Sequence, residues 1–287
     1  MKKNLKTYAQ NTWCPGCGNF GIELAFKEAI NELITEEKIK KEDIVIVTGI
    51  GCHAKIADYL NLNSFYSLHG RVLAPATGIK IANPNLSVIG FAGDGDAYGE
   101  GLDHLIFAAK RNINLTMIVH NNRVFALTTG QFTPTSPYGF SGKSTPQGSE
   151  EEPFNPLELM LASGATFIAR GFSGNPSHLK EIIKEAIFHQ GFSFIDVLQP
   201  CVSFYDTYDF YRQRVYDLKK EGHNYSSWQM ALEKIKEWNY LDGEKEKIPI
   251  GIFYKIKKNT FEENIFKKRN VPRTSPLNLK EILKKHL

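Results

Sequence analysis

Apolar residues recur at helical spacing from Phe20 to Leu33, at Phe20, Leu24, Ala25, Ala29, Ile30 and Leu33, and predict a helix packed by one face. The run Asp43 to Gly51 (DIVIVTGIG) reads as a strand that ends in a glycine-rich turn. Continuous apolar character marks Leu86 to Gly93 as a buried strand; Gly99 to Arg111 then reads as a helix and Ile113 to Asn121 as the next strand. A helix over Pro176 to Phe188 precedes another strand that begins at Ser193 and runs to Val197. Strands alternating with helices predict an α/β fold, a parallel sheet with helices on both faces. Further on, Met230, Leu232, Ile235 and Trp238 give the stretch Ser226 to Trp238 a helical face suited to the core or to a subunit interface.

The chain has 287 residues, of which 42% are apolar and 23% charged, enough for one sizeable core. A net charge of +4 is too small to argue for nucleic acid as a partner. No apolar run reaches the length of a membrane span. The opening Met1 to Tyr8 carries lysines with no apolar stretch behind them, unlike a secretory signal. A cytoplasmic globular protein is expected, acting neither on nucleic acid nor in a membrane.

Four cysteines change that picture. Cys14 and Cys17 form Cys-Pro-Gly-Cys-Gly, Cys52 follows Gly49-Ile50-Gly51, and Cys201 follows Pro200. Each has Gly or Pro beside it, whereas inert buried cysteines usually lie inside apolar runs. Such turns leave backbone amides free to bond sulfur. Three readings stand at this point: unrelated thiols, a four-cysteine zinc site, or an iron–sulfur cluster. Structural zinc usually takes two short Cys-x-x-Cys knuckles and this chain has one. A cluster tolerates one such pair plus two distant ligands, which favours it.

A second constellation is Gly93-Asp94-Gly95-Asp96 after one strand and Asn121-Asn122 at the end of the next. In a right-handed βαβ unit, Asp94 and Asn122 both emerge at the carboxyl edge of the sheet. A carboxylate and an amide oxygen there are hard ligands, suited to Mg²⁺ shared with phosphate oxygens. The two glycines and the following helix start would let a diphosphate approach. A dinucleotide fingerprint does not fit, because Tyr98 stands where its last small residue belongs and Asp94 would repel a bare pyrophosphate. Cys52 and Cys201 also follow strands, so both constellations should share one edge, as in a redox enzyme.

In one order the chain carries Cys14-Pro15-Gly16-Cys17-Gly18, Gly49-Ile50-Gly51-Cys52, His69-Gly70-Arg71, Gly93-Asp94-Gly95-Asp96, Asn121-Asn122, Thr129-Gly130-Gln131 and Pro200-Cys201. Together these resemble the β subunit of a 2-oxoacid:ferredoxin oxidoreductase, the thiamine-diphosphate-binding subunit of the small archaeal-type enzymes, from about residue 8 to Cys201. The resemblance implies a thiamine-diphosphate-binding fold and a 4Fe–4S cluster on Cys14, Cys17, Cys52 and Cys201. It implies Mg²⁺ on Asp94, Asn122 and the carbonyl of Val124, and a diphosphate contacted by Gly95, Asp96, Ala126 and Leu127. Ile50, Gly51, Cys52 and His53 would lie near the thiazolium, with His69 close by.

The implied reaction is oxidative decarboxylation of a 2-oxoacid, pyruvate or 2-oxoglutarate foremost, with coenzyme A, giving acyl-CoA and CO₂ and reducing ferredoxin through the cluster. A partner α subunit would supply the glutamate that activates the cofactor. The rival is a non-redox thiamine-diphosphate decarboxylase or synthase with a structural four-cysteine metal site. His53, where many relatives carry Ser, and Ala126, where Gly is common, depart from the family pattern.

The domain division expected is 1–210 for the cofactor and cluster domain and 211–287 for a helical, basic C-terminal extension packing on it or on a partner. His53, His69 and Lys55 are the candidates for catalysis; Lys55, three residues after Cys52, would meet a substrate carboxylate. Thr128 to Gly148, rich in Ser, Thr, Pro and Gly, reads as a loop covering the cofactor. Glu150 to Glu152 reads as a solvated run. Lys255, Lys257, Lys258, Lys267, Lys268, Arg269, Arg273, Lys284 and Lys285 make the tail basic, a face that could steer an acidic ferredoxin.

Overall fold

The structure is a computed structural model and describes residues 4–241, 247–269 and 284. The first helix, α1 (Asn19–Thr35), buries Ile22, Ala25, Phe26, Ala29, Ile30 and Leu33. Phe20 and Leu24, expected on that face, are instead 39% and 46% exposed. At 100° per residue the stripe is centred on Ile22, Phe26 and Ala29, which rotates Phe20 and Leu24 to its rim. Phe20 rests edge-on against Trp13, with centroids 5.4 Å apart.

Eight strands build the main sheet, in the order β2-β1-β3-β4-β8-β7-β10-β9. They are β1 (Ile44–Thr48), β2 (Asn63–Tyr66), β3 (Ser87–Gly93), β4 (Thr116–Asn121), β7 (Phe167–Phe172), β8 (Ser193–Leu198), β9 (Val215–Asp217) and β10 (Ile248–Lys255). A separate hairpin pairs β5 (Val124–Phe125) with β6 (Gln131–Phe132). All pairs of the main sheet are parallel except β7 with β10. Strands β4, β7 and β8 are buried at every residue. That is the signature of a parallel sheet covered on both faces. One apolar cluster packs each face, one including Leu105, Met160 and Trp238, the other Phe26, Ile30 and Ile183.

The remaining helices are α2 (Ile56–Tyr59), α3 (Leu73–Ala82), α4 (Leu102–Arg111), α5 (Pro156–Ala162), α6 (Pro176–Phe188), α7 (Tyr208–Arg214), α8 (Trp228–Lys236) and α9 (Phe261–Arg269). Helix α4 starts later than the expected Gly99, because Gly95–Glu100 forms a π-helical turn. Wide turns of this kind often mark functional sites. It is followed by Gly101, whose backbone lies close to Gly70 (an added Cβ would meet Gly70 O at 2.8 Å).

Segment 211–287, expected to be helical, also contributes β9 and β10 to the main sheet. Its helix α8 buries Ala231 and Ile235 and leaves Trp228 and Met230 half exposed. Asn155 joins the parts, accepting from Leu157 N and Glu158 N at the start of α5 while donating to Ile235 O and Trp238 O. Of the basic tail, Lys257, Lys258 and Lys267 are exposed and Lys255 pairs with Glu185. Arg273 and Lys285 lie outside the described residues. Glu150 to Glu152 are exposed. Among the described residues no helix is long and apolar enough to cross a membrane.

Candidate active site

The carboxyl ends of β1, β3, β4 and β8 feed one cleft. Strand β1 leads to Ile50–His53, β3 to Asp94–Asp96, β4 to Asn122–Leu127 and β8 to Gln199, while the turn after β2 brings His69. The cleft encloses about 490 Å³ of empty space, its open mouth included. Ile50, 42% exposed, and Leu127, 49% exposed, stand at that mouth. Every residue expected at the cofactor lines this cleft. Lys55 does not: its ammonium donates to Thr12 Oγ1 at 3.0 Å, and its charge only partly opposes the burial that raises the Cys52 thiol.

Asp94 is 1% exposed and burial pushes its carboxyl up to about 6. Hydroxyl donors from Thr133 and Thr135 oppose that rise, and the charge of Asp196 adds to it. A buried carboxylate held by hydroxyls, next to an amide oxygen and a backbone carbonyl, is a donor set that suits a hard cation. Asn122 Oδ1 accepts from Val124 N at 3.0 Å, which folds the chain so that both residues face the cleft. Gly95 leaves bare backbone: a Cβ there would fall 2.1 Å from the Phe125 ring.

Asp96 is the second buried carboxylate. Its Oδ1 accepts from Gly70 N at 2.5 Å and lies 3.7 Å from His69 Nδ1, while Oδ2 lies 3.1 Å from His53 Nε2. The His53 contact is close but not aligned, and among the described residues neither atom has a hydrogen-bond partner. His120, which sequence reading passed over, is buried on the same wall. Its Nδ1 meets Asn19 Oδ1 at 2.8 Å, and burial, then His53, hold its pKa well below the usual imidazole range. A histidine inside an apolar strand reads as core, so its period gave no signal.

The four cysteines are free thiols. Cys17 is pushed up to about 12 by burial first; the Asn19 backbone N–H opposes this, and the charges of Cys201, Cys52 and Cys14 add to it. Cys17 and Cys52 therefore each lie within electrostatic reach of Cys14 and Cys201. Gln199 Nε2 approaches Cys17 Sγ at 3.7 Å, and Ser203 Oγ donates to Cys14 Sγ at 3.3 Å. Among the described residues no three His, Cys, Asp or Glu side chains gather tightly enough for a single metal ion. Cys52 also lines the cleft, so the thiol group and the carboxylate site share a wall.

Thr133 and Thr135 were missed individually, because the stretch Thr128 to Gly148 reads only as a Ser-, Thr-, Pro- and Gly-rich loop covering the cofactor. The structure buries Thr133, Thr135 and Ser136 there.

Comparison with known proteins agrees with this geometry. Residues 49–197 match the family described as thiamine pyrophosphate enzyme, C-terminal TPP binding domain. Residues 201–269 match the family described as the C terminal of the pyruvate ferredoxin oxidoreductase beta subunit. The 2-oxoacid:ferredoxin oxidoreductase subunit beta of Saccharolobus solfataricus is 44% identical over 270 residues, 89% of this chain and 85% of the relative. The 2-oxoglutarate synthase subunit KorB of Methanocaldococcus jannaschii is 38% identical over 89% of this chain and 91% of the relative. A solved 2-oxoglutarate:ferredoxin oxidoreductase from Magnetococcus marinus, with 2-oxoglutarate, coenzyme A and succinyl-CoA bound, superposes with a TM-score of 0.88. It is 34% identical, and the match covers 99% of this chain and 94% of that one. The chain belongs to the 2-oxoacid:ferredoxin oxidoreductase family, as a β subunit.

Proposed function

We propose that this chain carries the thiamine diphosphate, Mg²⁺ and 4Fe–4S cluster of a cytoplasmic enzyme that converts a 2-oxoacid and coenzyme A to acyl-CoA and CO₂ while reducing ferredoxin. Pyruvate and 2-oxoglutarate are the foremost substrates. The observation that carries the reading is Cys52, which belongs to the cysteine group and also walls the cleft that holds Asp94 and Asn122. A non-redox thiamine enzyme has no use for that juxtaposition.

Thiamine diphosphate, when bound, supplies the carbanion chemistry at the 2-oxo carbon. Asp94, Asn122 and the Val124 carbonyl would hold Mg²⁺ against the diphosphate, with Gly95 giving backbone access. Asp96, fixed by Gly70 N, keeps His53 and His69 beside the reacting end of the cleft. Ile50 and Leu127 present apolar surface at the mouth and limit water there. Cys14, Cys17, Cys52 and Cys201 would hold the cluster, and the donors on Gln199 and Ser203 would partly neutralise its sulfurs and raise its potential. Lys55, held on Thr12 outside the cleft, is left out of the substrate-binding set. The glutamate that activates the cofactor would come from a partner α subunit.

The test is anaerobic assay of the complex co-expressed with its partner. Ferredoxin reduction that requires both a 2-oxoacid and coenzyme A supports the reading. Release of CO₂ with no ferredoxin reduction refutes it in favour of the non-redox rival.

A further inference from the structure

Thr133 and Thr135 sit two residues apart in the turn that follows β6, and both send their hydroxyls to the same oxygen. Thr133 Oγ1 donates to Asp94 Oδ2 at 2.6 Å, and Thr135 Oγ1 reaches that oxygen at 3.0 Å. The two side chains are 2% and 0% exposed. Neither hydroxyl is directed at Oδ1 of Asp94. The turn is itself pinned: Arg123 Nε donates to Thr135 O at 2.7 Å, and Ser136 Oγ donates to Arg123 O at 2.5 Å. Thr133 N donates in turn to Ser136 Oγ at 2.8 Å. Thr135 also reaches Asn121 Oδ1 at 2.9 Å, and its single proton serves one acceptor at a time, so Thr133 is the steadier donor.

A carboxylate oxygen has two in-plane lone pairs. While both hydroxyls donate, the two lone pairs of Oδ2 are engaged and a cation meets Oδ1; Thr133 alone engages one of them. Bidentate binding of a cation by this carboxylate would require breaking those buried hydrogen bonds. Ca²⁺ favours 6 to 8 oxygens and accepts bidentate carboxylates at about 2.3–2.6 Å, whereas Mg²⁺ takes six ligands in a strict octahedron at about 2.0–2.1 Å.

We propose that Thr133 and Thr135 determine metal specificity at this site: by occupying Oδ2 they restrict Asp94 to single-oxygen ligation, which selects Mg²⁺ over Ca²⁺. The inference rests on the reading of Asp94 as a metal ligand. Both residues are positioning residues, acting on the cation through Asp94. In this part, the loop expected to cover the cofactor is a buried clamp on the Asp94 carboxylate.

The experiment uses the co-expressed complex stripped of cofactor and metal. Thiamine diphosphate binding is measured by calorimetry with Mg²⁺ alone and with Ca²⁺ alone. The proteins are wild type, Thr133→Val, Thr133→Ser and Thr133→Val/Thr135→Val, each checked for an unchanged circular dichroism spectrum. The expected result is a Mg²⁺-to-Ca²⁺ affinity ratio that falls at least tenfold in Thr133→Val and further in the double variant. In Thr133→Ser, which keeps the hydroxyl, the ratio stays near that of wild type. A ratio that is the same in all four proteins overturns the proposal and leaves the ligand reading intact. Cofactor binding by wild type that needs no divalent cation overturns the ligand reading, and the proposal with it. The Ser variant separates loss of the hydroxyl from general loosening of the turn.

Discussion

Gly49 lies flush against the carboxylate of Asp96: a Cβ built on Gly49 would fall 1.8 Å from Asp96 Oδ2 and 2.6 Å from its Cγ. The end of β1 must therefore be bare backbone for Asp96 to hold its place between Gly70, His53 and His69. Gly49→Ala should force the Asp96 carboxylate out of that position. The expected outcome is at least a tenfold weaker thiamine diphosphate affinity, about 1.4 kcal/mol, measured by calorimetry on the complex. Unchanged affinity would remove Asp96 from the cofactor's surroundings.

The charged interior makes a second prediction. Arg170 and Asp196 are both fully buried, with Nε and Oδ2 4.0 Å apart. Tyr98 and Tyr240 donate to the two oxygens of Asp196 at 2.6 Å each. Removing one member strands the other, whereas removing both need not. Arg170→Met should cost about 3–5 kcal/mol and lower the melting temperature by roughly 10 °C. Arg170→Met/Asp196→Leu should recover much of that loss in a thermal melt.

This pair also explains why part of the fold was hard to read. The strands Leu86 to Gly93 and Ile113 to Asn121 were legible because apolar residues dominate both and turn residues bound them. Strand β7 (FIARGF) was not predicted: Arg170 interrupts its apolar run, yet that arginine stacks over Trp238, Tyr240 and Phe253. Its partners come from distant parts of the chain, which no local pattern reveals. Strand β10 was missed for a related reason, since its pairing with β7 is long-range. At the site, the cysteines, Asp94 and Asn122 were legible because turn glycines and strand ends mark them, whereas His69 was placed there only by the family resemblance. Thr133, Thr135 and His120 were not, because a polar loop hides a buried hydroxyl as easily as an apolar strand hides an imidazole.

His189 gives a pH prediction away from the cofactor. Burial first, and then Lys255, depress its pKa from 6.5 to about 4, and its Nε2 lies 2.8 Å from Thr166 Oγ1. The unfolded chain therefore binds a proton at His189 more readily than the folded one between these values. The neutral residue's contribution to stability is complete above about pH 6.5 and is lost as pH falls toward 4. Denaturant melts of wild type and His189→Gln should diverge in slope across that window, with the variant less sensitive to acid. Parallel curves would show that His189 does not titrate this way.

The cysteine group supplies the decisive case. Cys201 is buried and Cys52 lines the cleft, so loss of one sulfur should disable electron transfer without emptying the cofactor site. Cys201→Ala should retain thiamine diphosphate binding within a few-fold and lose ferredoxin reduction. Normal ferredoxin reduction by this variant would exclude Cys201 as a ligand.

The most direct measurement is the iron, acid-labile sulfide and zinc content of the wild-type complex, purified anaerobically with its partner subunit. A cluster on these four cysteines should give about four irons and four sulfides on this chain, and no zinc. Zinc without sulfide would contradict the redox assignment and leave a thiamine enzyme with a structural metal.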